Sequence, residues 1–132
     1  MNRRSLLGLL AASPFVSVRA GAQDYPAKPI QLIVSVSAGG SIDTIARAYG
    51  EALSEKLGQP VVVENKPGAN GNIAAATVAR AKPDGYTLLA TGGSTLNLNP
   101  FLYHELPFDP VKSFAPIALT ARTNFILVCI PS

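Results

Sequence analysis

The sequence predicts an α/β fold on a parallel sheet, on three observations: apolar β-rich runs alternate with helix-period segments, the turns between them are short, and small residues follow the strands. The first strand is read over residues 30–36, where Ile30, Leu32, Ile33, Val34 and Val36 supply the apolar run. Residues 37–40 then remove side-chain bulk, and Ser41 or Asp43 is placed to cap the helix that follows. In that helix Ile42, Ile45, Ala46, Tyr49, Ala52, Leu53 and Leu57 recur at three- and four-residue spacing, and Gly58 supplies the stop. Residues 61–64 form a compact β-branched strand, followed by turn chemistry at Asn65, Lys66, Pro67 and Gly68. A second, Ala-rich helix is predicted over residues 72–81, ended by Pro83, Asp84 and Gly85. Residues 86–90 make the third strand and residues 91–95 a second glycine loop. Past Asn99 and Pro100 the pattern weakens: one helical turn at 101–103, a loop at 107–110, and strands at 117–120 and 125–130. The strand at 125–130 stops at Pro131 and Ser132 with nothing to finish it, so the chain reads as cut in mid-fold.

Residues 1–22 carry the marks of a cleavable export signal: Arg3 and Arg4, an apolar stretch too short to span a bilayer, and Ala20-Gly21-Ala22 as the cleavage site. General secretion is the expected route, with the twin-arginine route as the alternative. Residues 23–132 are the expected mature part, without a direct membrane anchor. The formal charge of +3 comes entirely from Arg3, Arg4 and Arg19, and the eight remaining basic residues balance eight acidic ones. A neutral chain without a Lys/Arg cluster gives no footprint for nucleic acid. Cys129 has no second cysteine to pair with and reads as a small buried hydrophobe.

In a parallel sheet the connections after the strands meet at one rim, where such sheets hold ligands. The uncapped amides at the start of a helix favour a carboxylate or phosphate there. On the residues alone, Gly39 and Gly40 fit two readings equally, tight strand-to-helix packing or an anion site. Asp43, in the first helical turn, reads as cap or loop support rather than ligand contact. Catalytic and metal sites are not expected: His104 is the only histidine, and no nucleophile elbow surrounds Ser41, Ser94 or Thr95. The 68–71 turn lacks the dinucleotide and P-loop patterns, so no cofactor is implied.

The motifs Tyr25-Pro26, Gly39-Gly40 with Asp43, Glu64-Asn65-Lys66-Pro67-Gly68-Ala69 and Pro83-Asp84-Gly85-Tyr86-Thr87 together resemble the receptors of tripartite tricarboxylate transporters, the Bug or TctC-like family. That resemblance implies a type II periplasmic binding protein clamshell closing over a small organic carboxylate, of which this chain holds the first part of lobe 1. It implies membrane permease subunits as partners, a periplasmic location and no enzymatic activity. Carried over by position, Ser37, Ala38, Gly39 and Gly40 would offer amides to the ligand while Asp43 steadies their loop. Ala69, Asn70, Gly71, Gly93, Ser94 and Thr95 would complete the first-lobe side, with Asn99 helping to hold the 93–95 loop. The chain departs from the family at Ser35, Val36, Ser37 and Ala38, where Pro-Phe and a further Pro are usual, and at Asn70, where Gly is usual. Two other classes fit the sequence: a ligand sensor feeding a membrane kinase, and a periplasmic α/β hydrolase using Ser94.

Overall fold

The computed structural model describes residues 25–122; the export signal expected at 1–22 and the strand expected at 125–130, with Cys129, lie outside them. Three parallel strands, β1 (Ile30–Val34), β2 (Val61–Asn65) and β3 (Thr87–Ala90), form one sheet in the order β2-β1-β3. The register pairs Leu32 with Val63 and with Leu88. As the central strand, β1 is covered on both faces, which is why every residue except Gln31 is buried and alternation is lost.

On one face α1 (Ser41–Leu57) packs over Leu32 and Val34 through Ala46, with Ile42, Val61, Val63, Leu88 and Ala90 around them. Gly50 lets α1 approach β2 closely, since a Cβ there would stand 3.4 Å from Val63 Cγ2. The helix ends at Gly58, left-handed at φ 66, whose N–H donates to the Ser54 carbonyl at 3.0 Å. Ser54 Oγ accepts from Val61 N at 2.8 Å and so ties the helix end to the start of β2. Beside the sheet, the short α2 (Asn72–Ala79) buries Ala74 and Ala75. Two further short helices follow β3, α3 (Gly93–Asn97) and α4 (Asn99–Leu102).

The Tyr25-Pro26 and Pro83-Asp84-Gly85-Tyr86 motifs meet at the amino edge of the sheet. Tyr25 OH donates to the Gly85 carbonyl at 2.7 Å, the two tyrosine rings lie 5.1 Å apart, and Lys28 Nζ sits 4.2 Å above the Tyr86 ring.

Several boundaries differ from expectation. β1 stops at Val34 rather than Val36, although Ser35 N still donates to the Ala90 carbonyl at 3.1 Å. α2 ends at Ala79 instead of residue 81, and β3 begins one residue late. Residues 91–95 are not a loop throughout: Gly93, Ser94 and Thr95 open α3. No strand forms at 117–120, where Ile117 and Leu119 stand exposed, because no ladder partner lies beside them among the described residues. His104 is exposed, as its loop position implied.

Candidate functional site

Beyond the carboxyl ends of the three strands lies a cavity of about 150 Å³. Each strand contributes its following connection: Ser35, Val36 and Ile42 after β1, Gly68, Asn70 and Gly71 after β2, and Gly92, Ser94 and Thr95 after β3. None of these side chains is charged. A larger hollow, about 410 Å³, opens at the opposite edge beside Lys28, Lys82, Asp84 and Tyr86. There Lys28 is already engaged by Asp84 at 3.3 Å and by the Tyr86 ring, so the smaller cavity is the better candidate.

The start of α1 borders the cavity. Its N-cap is Gly40, with extended backbone and no side-chain cap, so neither Ser41 nor Asp43 caps the helix. Asp43 is instead turned back on the preceding loop and is almost fully buried at 2% exposure. Gly39 N and Arg47 Nε both donate to its Oδ2, at 2.8 and 3.0 Å, and Asn65 Nδ2 donates to Oδ1 at 2.8 Å. Asn65 Nδ2 also reaches the Val36 carbonyl at 3.0 Å, and Arg47 Nη2 donates to Asn65 Oδ1 at 3.0 Å. The three side chains therefore lock the β1–α1 connection to the end of β2.

In this loop Gly39 N is held by Asp43 and Gly40 N by the Ser37 carbonyl at 3.2 Å. The amides of Ser41, Ile42 and Asp43, the first helical turn, have neither a cap nor an acceptor among the described residues.

The Arg47 bond, then the Gly39 amide and the Asn65 amide, hold the Asp43 carboxyl down at about 2 against an ordinary 3.8. With the folded pKa below the unfolded one, the unfolded chain takes up the proton first as pH falls. The lock thus contributes fully above pH ~4 and fades towards pH ~2. Urea midpoints of the full-length gene product and its Asp43→Asn variant check this: their difference shrinks across that window, and a difference flat with pH would contradict it.

In the turn after β2 four successive residues, Gly68, Ala69, Asn70 and Gly71, have positive φ, at 124, 47, 52 and 87. Holding Ala69 and Asn70 there costs about 1–2 kcal/mol each. The contacts that hold them come from α3 and α4. Asn99, at 0% exposure, donates from Nδ2 to the Asn70 carbonyl at 3.0 Å and to Asn72 Oδ1 at 2.6 Å. Its Oδ1 accepts from Asn70 Nδ2. Thr95 Oγ1 donates to the same Asn70 carbonyl at 3.0 Å and accepts from Thr91 Oγ1 at 2.8 Å.

Of the residues expected to form the site, Asn70, Gly71, Ser94 and Thr95 line the cavity. Ser37, Ala38, Gly39, Gly40, Asp43, Ala69, Gly93 and Asn99 do not line it: Asp43 and Asn99 are buried and act through their bonds to Gly39 and Asn70, while Ala69 and Gly93 are exposed. The bonds of Asn99 run to Asn70 and Asn72 rather than to the 93–95 segment. Sequence reasoning missed Ser35, Val36, Ile42, Gly68 and Gly92. Ser35 carried a signal: it is the first polar residue after the buried run of β1, on the rim where ligands sit.

A family model for the tripartite tricarboxylate transporter family receptor matches residues 45–132. A protein of Bordetella bronchiseptica named as a UPF0065 protein is 50% identical over 99 residues, 75% of this chain and 30% of that protein. Among solved structures, periplasmic binding protein BugD superposes with a TM-score of 0.65 at 42% identity, over 70% of this chain and 31% of that one. MatC from Rhodopseudomonas palustris, solved with bound malate, gives 0.69 at 38%, over 73% and 33%. The chain thus spans about a third of the length of the proteins it matches.

Proposed function

Because the chain belongs to the tripartite tricarboxylate transporter receptor family, whose members are periplasmic solute-binding proteins, we propose that the protein carrying it captures a small organic carboxylate for a membrane permease of that transporter type. It acts without covalent chemistry, in the periplasm, after export by residues 1–22. The observation that carries this reading is the uncharged cavity at the strand ends, bordered by the open Ser41, Ile42 and Asp43 amides of a 17-residue helix. Those dipoles favour an anion. Among the described residues the only buried carboxylate, Asp43, faces Gly39, Asn65 and Arg47 and is neutralised by the last.

The similarity to MatC, whose structure holds malate, supports a dicarboxylate or tricarboxylate of that size. Two lobes closing about the anion would complete its coordination. Calorimetric titration of the full-length gene product tests the reading. Saturable binding of malate, succinate or citrate, with none of the corresponding amides, is the expected result. Equal binding of acids and amides, or binding of neither, would sink it.

A further inference from the structure

One buried hydroxyl in the cavity has no partner among the described residues. Ser35 is 5% exposed, its backbone N–H is taken by the Ala90 carbonyl, and its Oγ makes no hydrogen bond among the described residues. Nor is that Oγ sealed off, because no fully inaccessible side-chain polar atom among the described residues is left without a partner. It therefore keeps access to the cavity that Ser35 lines. Gly71 leaves the room for it: a Cβ there would stand 3.1 Å from Ser35 Cβ.

A second group, on the exposed Asn70, also borders the cavity, and the network fixes which of its atoms is left over. The Asn70 backbone carbonyl can only accept, so Asn99 must turn Nδ2 towards it. Asn99 Oδ1 then faces Asn70 Nδ2, which leaves Asn70 Oδ1 as an acceptor without a partner among the described residues. Asn70 lines the cavity too.

We infer that Ser35 and Asn70 form a subsite for a ligand hydroxyl, so that the protein selects hydroxy-carboxylates over carboxylates of the same skeleton without the hydroxyl. This rests on the carboxylate-binding reading above and adds the substituent. The open helix amides can only donate and suit the carboxylate, whereas Asn70 Oδ1 can only accept and needs a donor on the ligand. Ser35 Oγ can meet the same hydroxyl from either side. A ligand that fills the cavity displaces the water open to these two groups, so one carrying a hydroxyl satisfies them and one without it leaves them unpaired.

The test is calorimetric titration of the full-length gene product and its Ser35→Ala variant with pairs differing by one hydroxyl: malate and succinate, 2-hydroxyglutarate and glutarate, citrate and tricarballylate. In the wild type, the hydroxy acid of the best-bound pair is favoured by about tenfold, the equivalent of one hydrogen bond. The variant, whose unliganded melting temperature is unchanged or raised, loses most of that ratio by weakening the hydroxy acid alone. Asn70→Gly gives an independent second loss of the ratio. If both acids of every pair bind but the ratio is absent in the wild type, or survives in both variants, this inference is overturned while the function stands. If no acid binds at all, the function falls and the subsite with it.

Discussion

Replacing Asn99 by aspartate is expected to destabilise the full-length protein by about 3–5 kcal/mol at neutral pH, the scale of an unpaired buried charge. The side chain keeps its shape, but Nδ2, which donates to the Asn70 carbonyl and to Asn72 Oδ1, becomes an oxygen facing two oxygens. At 0% exposure no water can enter to relieve the contact. The new carboxyl would hold its proton more tightly in the folded state than in the unfolded one. The deficit therefore grows as pH rises through the ordinary carboxylate range and shrinks below it. Asn99→Ala, which removes the bonds without adding charge, should cost about 1–3 kcal/mol with little pH dependence. Urea unfolding of the three proteins at several pH values decides this. Equal stability of wild type and Asn99→Asp at pH 7 would show that the Asn70-Asn72-Asn99 network does not hold the turn.

Gly71→Ala should cost about 2–5 kcal/mol, from two sources that can be separated. A Cβ at this position would fall inside contact distance of Thr95 Oγ1 and lie 3.1 Å from Ser35 Cβ and from Thr95 Cγ2, an overpacking worth about 1–3 kcal/mol. The backbone at φ 87 adds about 1–2 kcal/mol for any residue with a Cβ. Gly58→Ala is the control: it is also left-handed, at φ 66, but nothing lies within 4 Å of the added carbon. It should show the backbone cost alone. Thermal unfolding of both variants measures the difference, and equal losses would mean that the cavity wall yields around the extra methyl. Displacing Thr95 also removes a donor from the Asn70 carbonyl, so carboxylate binding should weaken with stability at residue 71 and stay intact at residue 58.

Asn99→Asp and Gly71→Ala probe the part of the site that was hardest to read from the chain. The sheet and the two main helices were legible because their signals are local: the apolar run of β1, the three- and four-residue spacing along α1, and Gly58 as its stop. The convergence of three strand connections on one rim followed from parallel order alone, before any side chain was placed. What escaped depends on contacts between distant segments. Asn99 meets Asn70 across 29 residues, and no local pattern marks it as the support of a left-handed turn. α3 was hidden because Gly, Ser and Thr are weak helix formers; the Thr95 bond to Asn70 offers a tertiary reason for it to form. Asp43 was legible as loop support through its place in the first turn, but the Asn65 and Arg47 partners that complete the lock were not. The same long-range dependence explains residues 117–120, a short apolar run that produces no strand without a neighbour to pair with.

The most direct test of the central claim, an anion held by backbone donors at the strand ends, is an amide-resolved NMR titration of the isotope-labelled full-length protein with the best-bound carboxylate. The amides of Ser41, Ile42 and Asp43 and of the 68–71 turn should shift together and saturate with the calorimetric affinity. Shifts confined to the opposite edge, around Lys28, Lys82 and Tyr86, would contradict it and move the ligand to the other end of the sheet.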